Sequence, residues 1–434
     1  MLISKKENIL IVGAGLSGLS CAYHLKDNYT ILEKEKTVGG LCRTLPWKGF
    51  NFDFSGHLLH LHNKEIKSLV AGMLKNNINE HYRQAFVYYK GKYVPFPFQA
   101  NLFGLPIDVV KDCLYGLISA QCNKHKKKAT NFKEWINNYF GSGFAKHFFI
   151  PYNTKLFGVE LEEMTSEWCE WFIPKPKINQ IVSGAFEYQV ADFGYNSKFY
   201  YPKTGGIQAL PNAFAQRIRN LHLNSNVGRI FWKEKRVELN SKLLIEYEQL
   251  ISTMPIPELL KNLEPFPEEL NDIKNSFRWR SVQCLNIGIR KRDAINRHWI
   301  YFPEPEFIFH RVGFIHNISR SSVPEDCAAF YIEIATNPNE KANLNRLFSK
   351  AIMDLNRLNI IAKDDKIIAL QHMPMQYAYV IHDNKREKAL KRVKEFLNKN
   401  SIHSIGRYGD WKYSFMEEAI LDGQKLAAKL HSRK

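Results

Sequence analysis

Apolar residues recur along the first half of this chain with a spacing that changes from segment to segment. Residues 8–12 and 29–32 are short apolar runs separated by a helix-like stretch, which predicts a strand, a helix and a second strand. Residues 62–82 repeat apolar side chains at helical spacing, whereas residues 86–94 alternate about a Lys-Gly pair and predict a hairpin. From 106 to about 170 the pattern is helical again, which predicts an inserted helical block.

The second half of the chain is dominated by alternating patterns. Two prolines within residues 174–177 end the helical block, and residues 178–201 show no clear period, as expected of a long loop. A helix is predicted for residues 209–221, and strands are predicted across residues 280–336. The order of these elements therefore predicts an α/β fold with a helical block and a strand-rich region inserted after the first unit.

A glycine-rich turn joins the first predicted strand to the first predicted helix. Its three glycines have the spacing that lets a backbone turn tightly, approach a pyrophosphate and pack a helix on a strand. Glu33 ends the second apolar run, at the distance expected of a carboxylate that binds an adenosine ribose and repels the 2′-phosphate of NADP. We therefore expect a dinucleotide on this unit. The candidate contacts here are Gly13, Gly15, Ser17, Gly18, Glu33 and Lys34.

Two further segments carry a glycine together with an arginine. Residues 39–43 read Gly-Gly-Leu-Cys-Arg, and residues 406–411 read Gly-Arg-Tyr-Gly-Asp-Trp before a helix-like stretch. An arginine beside a glycine pair can approach the same cofactor and offset its phosphate charge. Both segments resemble motifs of the FAD family that contains amine oxidases, protoporphyrinogen oxidases and UDP-galactopyranose mutases, which implies FAD as cofactor. The implied contacts are Gly40, Leu41, Arg43, Gly406, Arg407, Trp411 and Met416.

The two cofactor signals lie at opposite ends of the chain, so the cofactor domain is expected to be discontinuous. The resemblance implies a Rossmann-type FAD-binding domain of the amine-oxidase-like (GR2) kind, an inserted helical domain and a mixed β-sheet substrate domain. We predict the FAD-binding domain at 1–85, 203–255 and 385–434, the helical insertion at 100–178, and the substrate domain at 86–99, 179–202 and 256–384.

Composition and charge narrow the class of protein. The chain has 434 residues, 45% of them hydrophobic, and no apolar run reaches the ~18 residues of a transmembrane helix, which favours a cytoplasmic enzyme. The seven cysteines are scattered without metal-ligand spacing, so we expect reduced thiols and no metal site. The net charge is +18, and the one dense basic cluster, Lys124–Lys128, indicates a solvated loop or, as the alternative, a contact with a membrane surface. No nucleic-acid motif accompanies the cluster, and the oligomeric state stays open.

Segments in the middle of the chain resemble the UDP-galactopyranose mutases, in the same order along the sequence. Residues 54–60 resemble the glycine-histidine loop beside the flavin, and residues 151–158 resemble the segment that floors the sugar pocket. Residues 309–312 resemble the strand that supplies a diphosphate-binding arginine, and residues 377–384 resemble a stretch that contacts the substrate. The resemblance covers nearly the whole chain and implies an anionic nucleotide sugar as the substrate.

The resemblance also implies a role for individual residues. Flavin N5 is the expected reactive centre, Gly56 and His57 are expected beside the flavin, and His57 and Arg311 are the candidate catalytic residues. Phe157 stands where the mutases have tryptophan, and Lys175 and Lys177 stand where they have a mobile-loop arginine, so the indole N–H and the planar guanidinium are lost. The candidate substrate contacts are Tyr152, Phe157, Lys175, Lys177, Tyr200, Arg311, Tyr377, Tyr379 and Asp383.

Three functions remain open at the level of sequence. A mutase-like enzyme would use reduced flavin to change the ring size of a nucleotide sugar in cell-surface polysaccharide biosynthesis, without net redox change. An oxidase-like enzyme would pass hydride from a C–N or C–C bond to the flavin. A protein that binds FAD without catalysis, or a membrane-surface partner that uses FAD structurally, is the third possibility. We favour the mutase-like reading, because the resemblance includes substrate-side segments as well as cofactor-side ones.

Overall fold

The first large sheet draws its strands from distant parts of the chain. A computed structural model describes residues 5–123, 127–189, 193–291 and 295–432. Within these residues, eight strands form a sheet. Its central strand, Lys5–Val12, lies between Tyr29–Leu32 and Leu244–Ser252 and runs parallel to both. The strands along the chain are Lys5–Val12, Tyr29–Leu32, Leu221–His222, Val227–Phe231, Arg236–Leu239, Leu244–Ser252, Leu263–Glu264 and Ile402–Ser404.

Alternation along the central strand explains why this sheet is buried on both faces. Ile9 and Ile11 point into one hydrophobic cluster, while Leu10 and Val12 point into another. Successive side chains of a strand face opposite sides, so the continuous apolar run of Ile9–Val12 serves two cores at once. The N-terminal apolar run is therefore the centre of the cofactor half of the molecule.

The second large sheet is mostly antiparallel. In the described part of the chain it has seven strands, and Trp279–Arg290 pairs on one side with Cys327–Thr336 and on the other with Lys366–Val380. Helix Leu344–Arg357 packs on its outer face, where Ala351 and Leu355 join the buried cluster of that sheet. The strands are Ala85–Tyr89, Lys92–Pro95, Trp279–Arg290, Trp299–Tyr301, Arg311–Phe314, Cys327–Thr336 and Lys366–Val380.

A helical block packs beside the second sheet. Helices Ile107–Cys122 and Phe132–Phe144 cross at glycines: a Cβ on Gly143 would lie 2.0 Å from the carbonyl oxygen of Asp112. A π-helical turn, Ala145–Phe149, then leads into Ile150–Phe157. The other helices are Leu16–Leu25, Lys64–Leu74, Phe98–Ala100, Leu161–Glu163, Ile178–Ser183, Ala209–Ala215, Ile256–Asn262, Glu268–Leu270, Ile315–Ile318, Arg320–Ser322, Leu344–Arg357, Asn384–Lys399, Gly406–Gly409 and Met416–His431. Two small sheets pair Thr44–Trp47 with Phe50–Asp53, and Asn79–Tyr82 with Lys198–Tyr201.

The predicted α/β class, the hairpin and the strands within 280–336 are confirmed, whereas three local predictions are wrong. The helix predicted at 62–82 ends at Leu74, because Lys75 adopts a φ of +53° and residues 79–82 form a strand. The loop predicted at 178–201 contains a helix and a strand, and the helix predicted at 209–221 ends at Ala215. The missed strands pair across more than 100 residues of sequence, which no local period reports.

The sheets also bear on the predicted domain boundaries, which stay predictions. Strand Leu263–Glu264 falls in the segment assigned to the substrate domain, but it pairs with Ile230 and Phe231 in the first sheet. Within the described residues, no helix combines the length and the hydropathy needed to cross a membrane. Of the basic cluster, residues 124–126 lie outside the described residues.

Candidate functional site

The first glycine turn opens onto a cavity at the N-terminus of helix Leu16–Leu25. Gly13 follows the first strand with a φ of +100°, and a Cβ there would lie 2.1 Å from Thr253 Oγ1. Gly15 is the N-cap residue of the helix, and as a glycine it has no side chain that could cap the first backbone N–H groups. A Cβ on Gly15 would meet no atom within 4 Å, because this glycine lines the cavity. The turn therefore presents bare backbone and uncapped amides, which suit a phosphate group.

Glu33 lies at the end of the second strand with its carboxylate held toward this turn. The side chain is 5% exposed and lines the cavity. It accepts hydrogen bonds from the backbone N–H of Ala14 at 2.7 Å and of Glu35 at 2.9 Å. A carboxylate has further lone pairs beyond these two, so Glu33 keeps capacity to accept from a ribose hydroxyl.

The second glycine segment folds over the first turn. Gly39 donates its N–H to the carbonyl of Ala14 at 2.8 Å, and a Cβ on Gly40 would lie 3.4 Å from the Cα of Gly15. Arg43 donates to the carbonyl of Gly40 at 2.7 Å and pairs with Glu35 at 3.1 Å. The first and second glycine segments thus meet around one space, and Leu41 and Lys34 also line it.

The C-terminal segment reaches the same space from the far end of the chain. Gly406 has a φ of +86°, and a Cβ there would lie 2.4 Å from Ser17 Oγ. Arg407 is partly buried and donates to the carbonyls of Ser414 at 2.5 Å and Ala378 at 3.2 Å. No carboxylate among the described residues is paired with it. Gly406, Arg407 and Met416 all line the cavity.

The loop at residues 54–57 lies where the two halves of the molecule meet. Ser55 has a φ of +66°, and a Cβ on Gly56 would lie 2.3 Å from the hydroxyl oxygen of Tyr331. Burial lowers the pKa of His57 to about 4, so its ring is neutral at physiological pH. His57 Nδ1 contacts the carbonyl of Phe54, which assigns the ring proton to Nδ1 and leaves Nε2 as an acceptor.

Arg311 lines the cavity from the second sheet, and a buried carboxylate, that of Glu333, binds its guanidinium. Glu333 is fully buried, and its oxygens lie 2.6 Å from Arg311 Nη2, 3.1 Å from Arg311 Nε and 2.9 Å from His310 Nε2. Ser55 also donates to this carboxylate. Burial alone would raise the pKa of Glu333, but Arg311 and His310 hold it well below its usual range. Glu333 therefore stays ionised and fixes the arginine fork.

Tyrosines surround this ion pair on the cavity side. The residues concerned are Tyr152, Tyr301, Tyr331 and Tyr379. Burial raises the pKa of Tyr152 and of Tyr379 well above the usual value, so both hydroxyls stay protonated. Phe157 completes the wall, with its ring 5.3 Å from that of Trp168. The arrangement offers hydroxyl donors and aromatic faces, with Arg311 as its cation.

One cavity, with a volume of about 830 Å³, therefore contains most of the residues predicted from sequence. They are Gly13, Gly15, Ser17, Glu33, Lys34, Gly40, Leu41, Arg43, Gly56, His57, Tyr152, Phe157, Arg311, Tyr377, Tyr379, Gly406, Arg407 and Met416. Gly18 packs the helix on the strand instead, since a Cβ there would lie 2.0 Å from the carbonyl oxygen of Gly13.

Five other predicted residues lie outside the cavity wall. The Lys175 ammonium sits over the ring of Tyr139 at 4.7 Å, and Lys177 precedes helix Ile178–Ser183 on the surface. The Tyr200 hydroxyl lies 2.7 Å from Glu80 Oε1, on the small sheet. Asp383 caps helix Asn384–Lys399 through the backbone N–H of Arg386 at 2.8 Å. Trp411 is fully buried in the core beneath the first sheet.

Sequence reasoning missed several residues that line the cavity or lie directly behind its wall. Glu333 interrupts the apolar strand Cys327–Thr336, and a charge inside such a run is a signal that could have been noticed. Tyr195 and Asn196 line the cavity but fall in the segment predicted as loop, and Gln99 follows the hairpin without any motif. In the described part of the chain, no group of three or more His, Cys, Asp or Glu side chains could hold a metal ion.

This fold and this cavity define the class of the protein, a flavoprotein. Residues 16–300 match the family described as flavin containing amine oxidoreductase, and the chain belongs to that family. FAD is accordingly its cofactor, and the protein is an FAD-dependent enzyme.

Solved structures agree with this assignment. The chain is similar to reduced UDP-galactopyranose mutase, with a TM-score of 0.93 and 25% identity over 99% of this chain and 96% of that one. It also shares its fold with a putative protoporphyrinogen oxidase from Exiguobacterium sp. 255-15, with a TM-score of 0.75 and 13% identity over the whole of both chains.

A curated relative is coproporphyrinogen III oxidase of Staphylococcus aureus, 21% identical over 284 residues, which are 57% of this chain. The match spans 60% of the length of that relative.

Proposed function

We propose that this protein acts on a nucleotide-activated sugar, as a mutase-like isomerase in the biosynthesis of cell-surface polysaccharide. The observation that carries the proposal is Arg311, a cation among tyrosine hydroxyls in the same cavity as the cofactor segments. The similarity to reduced UDP-galactopyranose mutase supports it, since that similarity spans both halves of the molecule.

Arg311 is suited to the diphosphate of such a substrate. Glu333 occupies its Nε and Nη2, and no hydrogen bond joins Nη1 to the described residues. The carboxylate therefore orients the guanidinium and leaves one edge for phosphate oxygens. As the bond between sugar and diphosphate weakens, Arg311 would stabilise the charge that develops on the leaving group.

The neutral groups of the cavity complete the binding site. The protonated hydroxyls of Tyr152 and Tyr379 would donate to the same diphosphate without adding charge. His57 Nε2 would accept a hydrogen bond near the flavin edge, because its ring is neutral.

FAD fits the residues that line the other half of the cavity. The uncapped helix and the open face of Gly15 would hold the pyrophosphate, Glu33 the ribose, and Arg43 would offset charge. In its reduced form the bound flavin supplies a nucleophile for the anomeric carbon. The protein's own contribution is to exclude water and to align the sugar with that nucleophile.

A specific observation favours the second candidate, an FAD oxidoreductase that removes hydride from its substrate. Glu333 already offsets the charge of Arg311, and Lys175 and Lys177 lie outside the cavity wall. Phe148, Phe149 and other rings line the same space. A cavity with little excess charge and many aromatic faces also suits an apolar substrate.

The test compares the two activities in one preparation. FAD-loaded enzyme is reduced with dithionite and offered UDP, dTDP and GDP sugars, and turnover together with binding of free UDP is measured. Arg311→Ala should keep its FAD and weaken nucleotide binding about tenfold or more, a loss of about 1.4 kcal/mol or above. Arg346→Ala, at an exposed arginine of helix Leu344–Arg357, is the matched control and should behave as wild type.

The variant Glu333→Gln tests the orientation of Arg311 separately from its charge. It should lower kcat while nucleotide binding is retained, because Arg311 keeps its charge but loses its fixed direction. Hydrogen peroxide formed in step with substrate by the oxidised enzyme, with no turnover of any nucleotide sugar, would instead select the oxidoreductase.

A further inference from the structure

The helical block exposes large apolar side chains on two neighbouring segments. Their exposed fractions range from 44% to 72%, high values for isoleucine and phenylalanine. We call this surface the helical-block patch and define it by Phe103 at 44%, Ile107 at 70%, Tyr115 at 66%, Ile118 at 53%, Ile178 at 50% and Phe186 at 72%.

The spacing of these residues places them on one face of each helix. Ile107, Tyr115 and Ile118 lie at positions i, i+8 and i+11 of helix Ile107–Cys122, which share a face. Ile178 begins helix Ile178–Ser183, and Val182 lies one turn later with 39% exposure. Each helix thus has a second apolar stripe on its outer side, in addition to the one that packs inward.

Direct contacts join the two segments into one surface. The backbone N–H groups of Leu102 and Phe103 donate to the carbonyl of Gly184 at 2.7 and 2.8 Å. The ring of Phe103 meets that of Tyr188 edge to face, with centroids 5.2 Å apart. Beneath the surface, Ile181 belongs to the same buried cluster as Val109 and Cys113, so the two helices share a core.

The charged residues of these segments indicate which partner this surface would bind. In the described parts of 103–128 and 175–188, the exposed lysines are Lys111, Lys127, Lys128, Lys175 and Lys177. The acidic residues of these segments are Asp108, Asp112 and Glu187, and the first two are already paired with Lys90 and Lys146. The segments that carry the patch therefore have an excess of exposed lysines over unpaired carboxylates. A second copy of the chain would bring like charges together, whereas anionic lipid headgroups would neutralise them.

We propose that the helical-block patch docks this enzyme on the surface of an anionic lipid bilayer. Ile107 and Phe186 would enter the interface between headgroups and acyl chains, and the surrounding lysines would pair with the headgroups. Gln99 and Pro174 line the substrate cavity and are hydrogen-bonded to each other at 2.7 Å, close in sequence to both segments of the patch. Docking would therefore bring this part of the cavity wall near the membrane.

The test is co-sedimentation of FAD-loaded protein with large unilamellar vesicles. One set contains phosphatidylcholine alone, and the other contains phosphatidylcholine with phosphatidylglycerol. Wild type should bind the anionic vesicles at least tenfold more tightly than the neutral ones, and high salt should release it. Ile107→Glu and Phe186→Glu should each weaken binding about tenfold, and Lys111→Glu should weaken it and reduce its dependence on salt.

Two matched controls make the same changes elsewhere. Leu344→Glu alters a helical leucine with 38% exposure, and Lys391→Glu alters an exposed lysine of helix Asn384–Lys399. Both should bind vesicles as wild type does, and retained FAD absorbance shows that each variant is folded. Wild type that stays in the supernatant with both vesicle sets would overturn the proposal. So would a wild-type dimer, seen by light scattering, that Ile107→Glu converts to a monomer.

Discussion

Gly15 and Gly18 are three residues apart in the same turn, yet a methyl group would have different consequences at the two. At Gly18 a Cβ would lie 2.0 Å from a backbone oxygen, so the helix and strand would have to separate. At Gly15 the same atom would meet no other described segment within 4 Å and would project into the cavity. We therefore expect Gly18 to be required for folding and Gly15 for ligand binding.

Gly15→Ala should therefore lower FAD content without lowering the stability of the apoprotein. We expect about tenfold weaker FAD binding, equivalent to about 1.4 kcal/mol, and an unchanged unfolding temperature of the flavin-free protein. Gly18→Ala should lower that temperature even without flavin. The measurements are FAD titration and thermal unfolding of both variants. Full FAD content in Gly15→Ala would contradict the placement of the FAD pyrophosphate at this turn.

At the scale of elements, the helical block depends on the close approach of two helices. Gly116 lies on Ile107–Cys122, and a Cβ there would lie 2.6 Å from the backbone nitrogen of Gly143 on Phe132–Phe144. The backbones are in contact at this crossing. The chain that follows forms the π-helical turn, and two residues of that turn, Phe148 and Phe149, line the cavity. The crossing therefore positions part of the site.

Gly143→Ala should destabilise the protein by about 1–3 kcal/mol, since its methyl group would overlap the carbonyl of Asp112. Gly72→Ala is the matched control on the exposed side of helix Lys64–Leu74, where a Cβ meets nothing within 4 Å. It should stabilise the helix by about 0.5–1 kcal/mol. Chemical unfolding measures the change in the free energy of unfolding of each variant. Equal changes in the two variants would contradict the close crossing of the helices.

At the scale of the whole molecule, several histidines are buried in neutral form. Burial lowers the pKa of His57, His60 and His298 to about 4, and that of His382 to about 2. A histidine with a lowered pKa stabilises the fold above its unfolded pKa of about 6.5, and this stability is lost as the pH falls toward the folded value. Asp53 has the opposite effect on stability. Burial raises its pKa to about 6, so its protonation stabilises the fold as the pH falls below that value.

The unfolding temperature should therefore fall between pH 7 and pH 5. Each histidine with a pKa near 4 lowers the free energy of unfolding by on the order of 2 kcal/mol over this range, and Asp53 raises it by about 1 kcal/mol. Calorimetry across this range is the measurement. His298→Gln should flatten the profile, whereas His222→Gln, at an exposed histidine, should leave its slope unchanged. A profile that stays level from pH 7 to pH 5 would contradict this assignment.

Much of the cofactor half follows from local patterns. The first strand, its glycine turn and Glu33 obey rules of spacing and backbone freedom that act within about thirty residues. The helix predicted at 62–82 shows the limit of such rules, since residues 79–82 pair instead with strand Lys198–Tyr201. Lys175 and Lys177 show the same limit of local rules. Their charge and their neighbouring prolines do not determine whether a side chain faces the cavity or the solvent.

The sequence by itself determined the α/β class and the dinucleotide turn, because those depend on residues close together in the chain. It also implied FAD, through the resemblance of two glycine-arginine segments at opposite ends of the chain to motifs of an FAD family. Only the tertiary structure decided that Glu333 holds Arg311, that Trp411 belongs to a core, and that the apolar stripes of two helices form one surface. These facts depend on contacts between segments far apart in sequence. Such contacts form where packing and paired charge lower the free energy of the folded chain as a whole, and local periodicity does not contain that information.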